Sequence, residues 1–148
     1  MTGAPVINPN NLKIEGFYCQ EDKKHETLIL LSQDVRDVMP QGLVVNDHDV
    51  LTDPTDLVRL RDVLALNFEV LGMPVITTTK EKIGKVADYA VDSESLYIQK
   101  LYVTQSIFRN FSGGNLGVDR TQIVEITNKA IIVHDLHQKV PAAVKAVA

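Results

Sequence analysis

Apolar residues fall along this chain in short bursts separated by polar turns, and the fullest example spans residues 71–91. Val75 and Ile76 are β-branched, Thr77, Thr78 and Thr79 extend the run, and Ile83, Val86 and Val91 resume it after Lys80-Glu81-Lys82. That pattern predicts two short strands joined by a polar turn. Pro74 has no amide proton for a ladder and belongs at a strand start or an edge. Ile83 and Val86 are out of phase for simple alternation, which places a bulge or bend at Gly84.

Similar bursts predict strands over residues 12–20, 27–31, 43–46, 96–105, 123–126 and 130–133, with Asn8-Pro9-Asn10-Asn11 a strong turn signal. Residues 34–38 read as a single helical turn or a short strand. One helix is predicted, over residues 53–67. Asp53 suits the N-cap, Pro54 the first helical position and Asp56 the first turn, and Leu57, Leu60, Val63 and Leu64 recur at helical spacing. The last residues, 138–148, are mostly small, with Lys139 and Lys145 their charged members, and read as a mobile tail.

The bursts repeat. Shifting residues 12–20 forward by 84 pairs Leu12 with Leu96, Ile14 with Ile98, Phe17 with Leu101, Tyr18 with Tyr102 and Cys19 with Val103. Shifting residues 35–47 by 88 pairs Val35 with Ile123, Val38 with Ile126, Leu43-Val44-Val45 with Ile131-Ile132-Val133, and Asp47 with Asp135. Two matches in the same order indicate an internal duplication. The first copy then has no counterpart to residues 71–86. A rival shift of 69 pairs Gly3-Ala4-Pro5-Val6-Ile7 with Gly72-Met73-Pro74-Val75-Ile76, which saves one strand and deletes the next. The 84-residue shift keeps the turns at Asn8 and Asp92 in register.

Leu71-Gly72-x-Pro74-Val75, then Ile83-Gly84-Lys85-Val86-x-Asp88, and finally Gln122-Ile123-Val124-Glu125-Ile126 with Ala130-Ile131-Ile132-Val133 after a turn, resemble the PRC-barrel family. The second copy carries the whole pattern and the first only its later part. The resemblance implies an all-β fold, mainly β with one connecting helix, built as two small PRC-barrel-like antiparallel β-barrels. The expected organisation is an incomplete N-terminal half over residues 1–52, the connecting helix over 53–67, a PRC-barrel domain over 68–137 and the tail over 138–148. Members of the family are mostly docking modules, so the resemblance implies a protein partner and no shared catalytic set. A barrel short of strands has open edges, and open edges recruit strands. The first copy is therefore expected to lean on the helix and to be completed by a second copy of the chain or by a further segment.

Composition narrows the field without naming a reaction. The 148 residues suffice for one ordinary domain or two very small ones. Residues 1–53 carry four basic residues against nine acidic ones, and residues 54–148 eleven against ten. Neither half has the basic excess of a nucleic-acid binder, and with no Trp there is little to stack on bases. Cys19 is the only cysteine, so no intrachain disulfide can form, and it reads as a small core residue. No apolar run approaches a membrane span and no signal segment is visible, so a cytoplasmic location is the expectation.

Candidate chemistry is sparse. His134 and His137 form a His-x-x-His pair, and Asn46-Asp47-His48-Asp49 is rich in ligand atoms, but neither supplies the converging set a metal requires. Ser112-Gly113-Gly114-Asn115 lacks the following helix of a phosphate loop, and the next residues read as a strand. Asp88 and Asp119 have no visible acid–base partner. No catalytic, cofactor or metal residue is assigned. Lys80, Lys82 and Lys85 make a basic hairpin that either guards an edge strand or meets an anionic surface, with Arg109 in the long loop beyond. Ile107, Phe108 and Phe111 offer a patch for a partner or anchor their loop to the core. The sequence reads as a non-catalytic protein-interaction or scaffold module; the alternative is an RNA- or ribosome-associated maturation factor.

Overall fold

The computed structural model describes residues 3–105 and 115–135. It is mainly β and divides into two compact units, Met1–Val70 with Val91–Ile98, and Leu71–Ala90 with Gln99–Ala148.

The first unit holds β1 (Ala4–Asn8), β2 (Lys13–Gln20), β3 (Thr27–Leu31), β4 (Val35–Met39), β5 (Gly42–Val45) and β6 (Leu51–Thr52). β1, β2, β3 and β6 form an antiparallel sheet in that order, while β4 and β5 form a separate hairpin. Between β1 and β2, Asn8 Oδ1 accepts the Asn10 N–H at 3.0 Å and the Asn8 carbonyl accepts the Leu12 N–H at 2.8 Å. Leu12 turns the chain in the left-handed region, at φ 58°, and its side chain is buried at 2% exposure. Val6 faces Gly16 and Ile7 faces Ile14, so Glu15 is the extra residue of a bulge. Val6, Ile7, Leu12, Ile14, Ile29 and Leu30 form the core.

The chain itself contributes residues 91–98 to this unit. Ile14 N–H donates to the Leu96 carbonyl and Ile98 N–H to the Leu12 carbonyl, both at 2.9 Å, with Lys13 opposite Tyr97. Lys13 thus meets its own 84-residue equivalent, while Ile14 bonds the equivalent of Leu12 and Ile98, the equivalent of Ile14, bonds Leu12, so the two matching turns join by a local two-fold exchange.

The helix expected over residues 53–67 is largely replaced by two 3₁₀ turns, Pro54–Asp56 and Val58–Leu60, before the short helix α1 (Arg61–Leu66). Asp53 does cap as expected, accepting from the Thr55 N–H at 2.8 Å and the Thr55 hydroxyl at 2.7 Å. Leu57, at φ −90° and ψ 76°, breaks the helical path. Asp and Thr side chains bonding their own backbone compete with a long helix here, and so short a segment has little propensity to resist. Asn67 ends α1 in the left-handed conformation at φ 45°.

The second unit is built on β7 (Pro74–Thr77), β8 (Lys82–Val91), β9 (Ile98–Gln105), β10 (Asn115–Asp119), β11 (Ile123–Ile126) and β12 (Ile131–Val133). Their sheet order is β10-β9-β8-β7-β12-β11. β10 runs into β11 through the 3₁₀ turn Arg120–Gln122 instead of a hairpin. The chain has then reversed an even number of times when it reaches β12, and β12 lies parallel to β7. The sheet is therefore mixed, not wholly antiparallel as expected. Among the described residues, no ladder joins β10 to β11, so the hydrogen-bonded sheet is open. Val75, Val86, Leu101, Val103, Val118, Ile131 and Val133 are buried beneath it.

A common offset of 88 residues relates parts of the two units. β4 and β5 pair Val35 with Val45, Asp37 with Val44 and Val38 with Leu43. β11 and β12 pair Ile123 with Val133, Glu125 with Ile132 and Ile126 with Ile131. The irregularity falls at the same place in both hairpins, and the 3₁₀ turns Ser32–Asp34 and Arg120–Gln122 precede them at the same offset. At the 84-residue offset, Leu96 repeats the φ of 58° seen at Leu12, and Leu96 N–H donates to the Asp92 carbonyl as Leu12 N–H does to that of Asn8.

Candidate interaction surface

The two hairpins have one register and different surroundings. In the second unit β12 lies between β11 and β7, with Ile131 opposite Val75, Ile132 opposite Ile76 and Val133 opposite Thr77. Thr78 N–H donates to the Val133 carbonyl at 3.0 Å, so the backbone groups of Val133, and by alternation those of Ile131, point at β7. In the first unit β5 has β4 as its ladder partner and, among the described residues, no strand in the place of β7. Pro40 and Gln41 make the two-residue turn between β4 and β5, so Met39 and Gly42 are the closing pair. Alternation from there points the N–H and C=O of Leu43 and Val45 away from β4.

Burial follows the same division. Ile131 and Val133 have no solvent exposure, while their counterparts Leu43 and Val45 are only half-buried. On the adjoining strand Val38 is 40% and Met39 49% exposed. Asp37, Asp47 and Asp49 are exposed around this hairpin, and Arg36 donates to Asn46 Oδ1 at 3.1 Å. The surface is apolar at its edge and acidic at its flanks.

A concavity of about 560 Å³ lies in the first unit between the start of β2, the 3₁₀ turn after β3 and the turns after Asp53. Lys13, Glu15, Gln33 and Arg59 line it beside Leu57 and Val58. Lys13 Nζ stands 5.8 Å from the Tyr97 ring centre, and Ser32 Oγ bonds the Ile14 carbonyl. Polar and apolar residues share this lining, Asp56 among the former, and among the described residues no nucleophile and base are in contact there.

The residues singled out from the sequence are dispersed. Cys19 is buried, its thiol donates to the Phe17 carbonyl at 3.6 Å, and desolvation pushes its pKa up, which disfavours the thiolate. Asp47 accepts from the Asp49 N–H at 3.2 Å and caps the 3₁₀ turn His48–Val50; His48 Nε2 lies 3.9 Å from Glu21. His134 is exposed and its backbone N–H donates to the Gln122 carbonyl, while His137 lies outside the described residues. Among the described residues no three His, Cys, Asp or Glu side chains gather as a metal would require. Asp88 accepts from the N–H of Tyr89, and the Asp119 N–H donates to Gln122 Oε1; both interactions are local. Burial, and then the Asp88 charge, raise the Tyr89 pKa. Asn115 opens β10, whereas Ser112, Gly113 and Gly114 lie outside the described residues, as do Ile107, Phe108, Arg109 and Phe111. Lys80, Lys82 and Lys85 are all exposed on the β7–β8 hairpin.

No protein-family model matches the chain, and no curated protein matches its sequence. Among the described residues no helix is long and apolar enough to cross a membrane. Among the described residues, the unpaired outer edge of β5 is the most specific surface feature. Its signal in the sequence was the 88-residue match of Leu43-Val44-Val45 to Ile131-Ile132-Val133 without any first-copy match to residues 71–86. What the sequence reading missed was that β7 is the strand lying beside β12.

Proposed function

We propose that the chain is a non-catalytic protein-interaction module made of two PRC-barrel-like copies, the first short of a strand. The observation that supports this most is the contrast between Ile131 and Val133, wholly buried, and Leu43 and Val45, half-buried at the matching positions. Exposed apolar residues beside an unfilled ladder are what a docking surface presents. The test introduces a photo-crosslinking side chain at Met39, Val58 or Thr121 of the full chain in its native cell. Discrete protein adducts that survive nuclease and depend on position are expected. Adducts of equal yield at all three positions, or none at any, would contradict the reading.

Lys80, Lys82 and Lys85, exposed together on one hairpin, support a second reading, an RNA- or ribosome-associated factor. RNA held by these lysines should be released steeply as salt rises. Retention that ignores salt, or survives replacement of all three by Gln, would remove this reading.

A further inference from the structure

We infer that the outer edge of β5 takes up an extended segment of another protein, running parallel to β5, β-branched where it pairs and basic just after. This rests on the interaction-module reading and specifies its partner. The second unit supplies the template. There β7, Pro74–Thr77, lies parallel to β12 with Val75, Ile76 and Thr77 opposite Ile131, Ile132 and Val133. Moving back 88 residues puts Leu43, Val44 and Val45 in place of those three. The hairpin register is the same in the two units, so the edge of β5 presents the same order of donors and acceptors as the filled edge of β12. A parallel strand of the β7 type would pair with the N–H and C=O of Leu43 and Val45 and cover their side chains.

Direction and charge define the occupant further. A parallel segment leaves β5 at its C-terminal end, where Asp47 and Asp49 are exposed. The template strand is itself followed by the exposed lysines Lys80 and Lys82. An occupant with Lys or Arg a few residues beyond its apolar core thus complements this end of the edge. A second copy of β5 meets it less well. A two-fold pair of β5 edges would run antiparallel, unlike the template, and would set Asp47 and Asp49 of each chain beside the uncharged Pro40-Gln41-Gly42 turn of the other, with no basic residue to meet them.

The probe is a synthetic peptide of residues 71–82, capped at both ends, titrated into the full chain and followed by amide NMR. Saturable shifts centred on residues 42–45 are expected at peptide concentrations up to roughly 1 mM. N-methylation at Ile76, whose N–H and C=O face β12 in the template, should weaken binding by about tenfold or more. Replacing Lys80 and Lys82 of the peptide by Glu should weaken it as well, with the difference fading as salt rises. Shifts confined to β12, equal binding of the N-methylated peptide, or no shift at residues 42–45 would each overturn the inference. So would shifts at residues 42–45 on simple dilution of the chain, which would assign the edge to a second copy. If the peptide fails while position-dependent crosslinks persist, this edge is excluded and the interaction reading stands; if both fail, that reading falls too.

Discussion

At the scale of single residues, small side chains stand where the sheet leaves no space. A Cβ on Gly84 would overlap the Thr104 carbonyl oxygen, which is backbone and cannot rotate away. A Cβ on Gly117 would meet Lys100 Cε at 2.5 Å, the movable stem of a side chain that reaches within 6.0 Å of the Tyr102 ring centre. Gly84→Ala should therefore destabilise the chain by about 3 kcal/mol and Gly117→Ala by less than about 1 kcal/mol. Urea midpoints of the two variants check this order, and equal midpoints would contradict it. The first unit shows the reverse arrangement: Gly16 lies under Leu30 and Ile29, and its equivalent is Lys100, while that of Ile29 is Gly117. Lys80, exposed at φ 66° in the β7–β8 turn, offers another test. Lys80→Gly should leave stability unchanged or raise it by up to about 1 kcal/mol, whereas Lys80→Val should lower the melting temperature. A bulge near Gly84 was legible, because Ile83 and Val86 break phase, but it falls one residue earlier: Val75 faces Gly84 and Ile76 faces Lys82, so Ile83 is the extra residue. The obstacle at Thr104 was not legible, because it depends on which distant strand lies alongside.

At the scale of elements, the paired turns make a matched experiment. Asp92 accepts from the Ser95 N–H and hydroxyl, each at 2.7 Å, and from the Glu94 N–H, and the Ser95 bonds above all lower its pKa from the ordinary 3.8. Asn8 fills the equivalent position with a neutral oxygen. A depressed carboxylate pKa contributes stability that is present above the unfolded value and lost as pH falls through the folded one. The stability gap between the natural chain and Asp92→Asn should thus shrink between about pH 5 and about pH 2. Urea unfolding across that range checks it, and a constant gap would contradict it. Most strands were legible as β-branched runs between turn residues; the strand Asn115–Asp119 was legible only from Leu116, because Asn115 reads as part of the loop before it. The helix was misjudged, since apolar spacing alone does not register Asp53 and Thr55 bonding their own turn. The parallel pairing of β12 with β7 was illegible for a different reason: it depends on a 3₁₀ turn at residues 120–122 replacing a hairpin.

At the scale of the whole molecule, the duplicated hairpin is finished in one unit and left with an edge in the other. Both offsets were readable in the sequence as matched runs, as was the missing counterpart to residues 71–86. Which edge this would leave vacant could be read only once β7 was seen beside β12. Native-state hydrogen exchange on the chain at concentrations where it is monomeric tests this most directly. The amides of Ile131 and Val133 face β7 and should exchange slowly, whereas those of Leu43 and Val45 should exchange at least about a hundredfold faster. Equal protection at the two pairs in the monomer would show that β5 is already covered, and would contradict the account.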